Sequence, residues 1–168
     1  MKIKKILILF WLLATSSASF AYSPMLLSPA WFKALYQNLN ETKADVWRGT
    51  VVSYIGGTTI SVKDNFGKIT EVTLLHLATK TNSSKADIHL GANHLQNLVG
   101  SQIYVLSKVN KDSVNAKIID SSGNDINLNL IKTGVFDVNT TSLLGKREKN
   151  DYLDAAKEAR LYHRGIWS

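Results

Sequence analysis

The chain has 168 residues, 45% of them hydrophobic and 20% charged, which suits one globular domain of ordinary size. It contains no cysteine, which excludes disulfides, thiolate metal sites and a lipid anchor on a cysteine after a leader. The formal charge of +7 falls to +4 when Lys2, Lys4 and Lys5 leave with such a leader. That mild basicity permits loose attraction to polyanions but does not by itself mark a nucleic-acid protein.

Residues 1–21 read as a secretory signal. Lys2, Lys4 and Lys5 precede an apolar run from Ile6 to Ala14, and the small residues Ser19 and Ala21 suit the −3 and −1 positions of a cleavage site. The run falls well short of the ~20 residues that a membrane-spanning helix needs. The mature chain is therefore expected to be exported, periplasmic or extracellular. Residues 22–45 then hold a short amphipathic helix and a linker. Ser28-Pro29 supplies a hydroxyl cap and a proline at the first helical position. Trp31, Phe32, Leu35 and Leu39 follow at helical spacing to about residue 39. Packed on the domain or docked on another protein, this apolar face is the candidate partner-binding element.

From Val46 the pattern shifts to short strands. Arg48 to Ile55 and Thr58 to Lys63 are joined by the Gly56-Gly57 turn, and Asp64-Asn65-Phe66-Gly67 leads into a third strand, Ile69 to Leu77. A polar loop precedes a helix ending near Val99, with Leu90, His94, Leu95 and Leu98 on its expected buried stripe and Gly100 as its stop. Gln102 to Val109 and Val114 to Asp120 make two further strands. A short helix, Asp125 to Lys132, ends at Gly134. A last helix from about Glu148 to His163 aligns Tyr152, Ala155, Ala156 and Ala159. The fold class is α+β, mainly β. Its order predicts a five-stranded, partly open OB-fold barrel with three packed helices, plus the N-terminal helix, in a domain spanning 46–168.

Several segments from Gly49 onward resemble the staphylococcal-nuclease-like (thermonuclease) family. The resemblance is carried by the Val51–Leu77 meander, Ala116, and Asn127 with Leu130 ahead of Gly134. The closing run Ala156, Ala159-Arg160 and Gly165-Ile166-Trp167 carries it further. It implies an OB barrel and a phosphodiesterase cleft with two calcium-binding aspartates, a glutamate acting on water, and two arginines facing phosphorus. Those slots here hold Thr58 and Ala78, Thr81, and Thr73 and Ser113. The nucleotide-stacking aromatics of the family fall near Thr140 and Ser142. Threonine and alanine replace none of the carboxylate charge that a hard cation needs. Loss of a single preorganised donor typically costs about a hundredfold in rate.

Other chemistry is thin in the sequence. His89 and His94 are five apart, which misses the i, i+4 spacing of a helical metal pair, and His76 reads as a core-facing strand residue. His163 ends the last helix. Glu71 reads as an exposed charge. Lys146-Arg147, Lys157, Arg160 and Arg164 read as solvated helix charges. Asn40, Asn82 and Asn139 start Asn-x-Ser/Thr triplets, which matter only in a glycosylating host. The expected function is an exported, catalytically inactive nuclease-like domain without cofactor, binding or assembling with a protein of the cell envelope. One alternative is a residual calcium-dependent nuclease. The other is a non-catalytic binder of single-stranded nucleic acid.

Overall fold

A computed structural model describes residues 45–109, 114–142 and 146–168. The leader, the N-terminal helix with Trp31, Phe32, Leu35 and Leu39, the 110–113 turn and Ser113 lie outside the described residues. Among the described residues, seven strands run as β1 (Asp45–Gly56), β2 (Thr59–Asp64), β3 (Ile69–Leu74), β4 (Leu77–Ala78), β5 (Gln102–Val109), β6 (Val114–Asp120) and β7 (Asp137–Val138). Three helices accompany them among the described residues: α1 (Lys85–Gln96), α2 (Ile126–Lys132) and α3 (Lys146–Leu161).

Alternation along the strands sets the barrel interior. Val51, Ile60, Val62, Val72, Leu74, Ile103, Val105 and Ile118 point inward and are almost fully buried. β1 is long enough to serve two neighbours, pairing with β2 through Gly49–Gly56 and with β5 through Asp45–Thr50. The circuit β1-β2-β3-β6-β5 closes completely, through a parallel pairing of β3 with β6. The fold is thus an α+β, OB-like barrel, and it is closed where a partly open one was expected. Closure removes the barrel-strand edges that could otherwise recruit a partner strand. No helix among the described residues is long and apolar enough to cross a membrane.

Two expectations from periodicity need correction. The third strand stops at Leu74 and does not run on to Leu77, because His76 adopts a left-handed φ of 68°. The chain turns there, and the short β4 pairs with β7 outside the barrel. On α1, His94 is exposed, and the helix buries Gly91 and Leu95. Gly91 sits against the Phe136 ring, where a Cβ would lie 2.9 Å from the ring tip. A hydrophobic count cannot see a glycine chosen for close approach.

Closure depends on one buried amide. Asn127 on α2 has no exposed surface. Its Nδ2 donates to Leu75 O at 2.9 Å and to Ala116 O at 3.1 Å, while its Oδ1 accepts from Ile118 N at 3.1 Å. One side chain therefore satisfies backbone groups at the end of β3 and along β6, where the sheet changes neighbour. Asn127→Ala takes this partner from the Leu75 carbonyl and from Ile118 N, at about 1 kcal/mol or more for each, while the Ala116 carbonyl still accepts from Leu75 N at 2.8 Å. In a urea titration we expect a loss of about 2 kcal/mol with an unchanged m value. A loss below about 1 kcal/mol contradicts this role for Asn127.

Candidate functional site

The expected cleft residues fall into separate groups. Thr58 sits in the turn before β2, its carbonyl accepting from Leu74 N at 2.9 Å. Thr59 and Thr73 are register partners on β2 and β3, and their hydroxyls hydrogen-bond at 3.1 Å. Thr73 is in turn the register partner of Asn115 on β6. Val72 and Leu74 point inward, so Thr73 faces outward. The result is a half-buried row of neutral hydroxyl and amide groups, Thr59–Thr73–Asn115, across three strands. Hydroxyls already bonded to each other offer neither the anionic oxygens of a calcium site nor positive charge for a phosphate.

Ala78 lies on β4 opposite Asp137 of β7. The Asp137 carboxylate is engaged by Arg160, which donates from Nη2 to Oδ1 at 2.6 Å, and by Val138 N at 2.7 Å. This carboxylate and guanidinium thus neutralise each other beside the Ala78 slot. Thr81 is exposed in the turn ahead of α1, and Thr140 is exposed in a one-turn 3-10 segment. Among the described residues, no cluster of three His, Asp or Glu side chains is arranged to hold a metal ion.

Of the last-helix charges, Lys157 and Arg160 are exposed as the sequence suggested, and Arg164 is half-buried. Arg164 pairs with Glu158 at 3.0 Å, and the Arg160 guanidinium lies 4.7 Å from the centre of the Trp167 ring. Lys80 Nζ donates to Ile166 O at 2.9 Å and lies 5.0 Å from the same ring centre. Beside it, Tyr54, Ile88, Gly91, Phe136 and Ile166 line a cavity of about 40 Å³. That space suits a few waters and is too small for a nucleotide.

Sequence reasoning missed a polar cluster packed beneath α3. Lys117, on the outer wall of β6, is buried, and its Nζ lies 3.1 Å from Asp125 Oδ2 and 3.0 Å from Glu148 Oε1. His76 is also buried, but in the β3–β4 turn and not in a strand. Its Nε2 lies 3.3 Å from the same Glu148 oxygen, and its Nδ1 lies 2.8 Å from Ser142 Oγ. Tyr152 donates its hydroxyl to Asp125 at 2.9 Å, and its ring meets His76 edge-on at 4.9 Å. Asp125 caps α2 as well, accepting from Leu128 N. The cluster ties a turn, a strand and two helices together with mostly paired charge. It is built for docking α3. The only sequence signal was indirect: a lysine alternating with apolar residues along a core strand.

The electrostatics follow from this geometry. The hydrogen bond from His76, opposed by burial and aided by the Lys117 ammonium, holds the Glu148 carboxyl at about 2, below its usual 4.5. Burial alone pushes the Lys117 ammonium down, yet Asp125 and Glu148 together hold it above its ordinary value. Burial, then the Asp125 charge, pushes the Tyr152 hydroxyl well up.

Comparison with protein-family models gives no match, and no curated protein matches the chain.

Because the Glu148 pKa is depressed on folding, its stabilisation is present above pH 4.5 and is lost as pH falls toward 2. Glu148→Gln is expected to cost about 2 kcal/mol at neutral pH. The stability gap between wild type and variant should then close as pH falls through that window. Chemical denaturation at several pH values checks this, and a gap that stays constant down to pH 2 contradicts it.

Proposed function

We propose that this chain is a nuclease-like barrel without phosphodiesterase chemistry, exported from the cell and used as a binding or assembly module for a protein partner. The observation that carries the reading is the neutral row Thr59–Thr73–Asn115. Catalysis on the resembled pattern needs guanidinium and carboxylate groups at the Thr58, Thr73 and Ala78 positions. Here the hydroxyls of Thr59 and Thr73 bond each other, and the charge nearest to Ala78 in register, Asp137, is matched by Arg160. Phosphoryl transfer is stabilised almost entirely by preorganised charge. A wall without that charge suits neutral polar or apolar contacts better than a phosphate chain.

Retention of the barrel alongside loss of the charges is what favours a module over a decayed enzyme. Asn127, the Lys117 cluster and the inward strand residues all remain coherently packed. Fold alone does not fix the partner. The docking element assigned to this function is the N-terminal segment bearing Trp31, Phe32, Leu35 and Leu39, whose aromatic pair has the composition of an interface core.

Two experiments test the reading. Purified mature protein with millimolar calcium should cleave neither single- nor double-stranded DNA, in an assay where an authentic family member is active. Measurable calcium-dependent turnover contradicts it. Crosslinking and pull-down from intact envelopes should recover a specific partner that is lost with Trp31→Ala and Phe32→Ala together. An unchanged set of partners removes the docking role from that segment.

A further inference from the structure

Phe66 is the most exposed large apolar residue among those described, at 97%, and it sits at the apex of the β2–β3 hairpin. The apex is held firmly. Asp64 Oδ1 accepts from Phe66 N at 2.8 Å and from Lys68 N at 2.9 Å, while Asp64 N donates to Lys68 O at 2.9 Å. Ile69, 60% exposed, is the cross-strand register partner of Lys63, so the two share a face just below the tip. Lys63 and Lys68 are both exposed. The tip thus presents a bare aromatic ring, a second apolar side chain and two ammonium groups on flexible stems.

We propose that this hairpin tip is a shallow anchor for an anionic lipid surface. An aromatic wedge flanked by lysines has the composition of an interfacial element. The ring enters the headgroup boundary, and the lysine stems lie along it with their charges at the phosphates. The nearby carboxylates do not oppose that approach at the apex. Asp64 turns back onto the N–H groups of its own loop, and Glu71 lies two residues farther along β3 than Ile69. A protein partner is the poorer fit, because a stable protein interface buries about 800 Å² on each side around an apolar core. A five-residue tip offers far less. One wedge with two cations supports only weak, reversible attachment, so a second contact elsewhere on the chain is needed for stable anchoring.

The absence of cysteine makes the test clean. Asn65→Cys in the full mature chain takes a single environment-sensitive fluorophore at the apex. Vesicles of phosphatidylglycerol with phosphatidylethanolamine should blue-shift the emission and raise it about threefold, as for a probe entering the lipid interface. Phosphatidylcholine vesicles should leave it unchanged. Phe66→Ala should weaken vesicle binding about tenfold, from the apolar area lost. Lys63→Ala and Lys68→Ala should each weaken it about fivefold. All three side chains are exposed, so thermal unfolding should be unaffected and will verify that the variants fold. An unchanged probe signal on anionic vesicles overturns the proposal. So does binding that leaves the probe dark, which assigns attachment to another part of the chain, or binding that survives Phe66→Ala. The proposal is independent of the reading of the neutral row, and either can fail without the other.

Discussion

Three hydrogen bonds from the side chain of Asn127 hold the point where the barrel closes. β3 must leave the antiparallel meander and pair in parallel with β6; at that change the Asn127 amide meets the Leu75 carbonyl and shares the Ala116 carbonyl with Leu75 N. Buried backbone groups without partners are costly. An amide can donate twice and accept once at the same place, which a hydroxyl or a carboxylate cannot do. With the junction satisfied, Thr73 is fixed beside both Thr59 and Asn115, and the chain is free to turn at His76.

That turn sends His76 under α3, where Lys117, Asp125, Glu148 and Tyr152 meet it. The same strand pair therefore supports two different surfaces. Outward from Thr73 lies a row of neutral groups; around Lys117 lies a packed cluster of paired charges. The distribution of charge is the functional clue. Ionic groups are present on this fold and well organised, but they hold helices to the barrel, and the row across β2, β3 and β6 carries none. That neutral row is what supports the proposal of a barrel without phosphodiesterase chemistry.

Much of the fold was legible because it rests on alternation and punctuation. Gln102–Val109 and Val114–Asp120 fall where their β-branched runs and the polar turn between them put them. Gly134, read as a helix stop, and Gly165, read in the closing run, prove to touch: Ile166 N donates to Gly134 O at 2.8 Å, and a Cβ on either glycine would lie within about 2.2 Å of the other segment. The end of the third strand was not legible, since a left-handed histidine carries no hydrophobic signature. Nor was the Gly91 face of α1, where the signal is the absence of a side chain. The Lys117 cluster escaped because its members are spread from position 76 to position 152, and only the tertiary fold brings opposite charges into register. At the candidate site, the sequence was sufficient to read neutral residues at Thr58, Thr73 and Ala78. It could not show that Thr59 and Thr73 bond to each other, or that Arg160 occupies Asp137.

The central claim, that the row on β2, β3 and β6 neither holds a divalent ion nor engages phosphate, is open to one direct measurement. Backbone amide NMR of the mature protein, titrated with millimolar calcium and a short single-stranded oligonucleotide, reads each position of the row separately. The account predicts that the Thr59, Thr73 and Asn115 amides stay in place throughout. Saturable shifts centred on those three residues would contradict it.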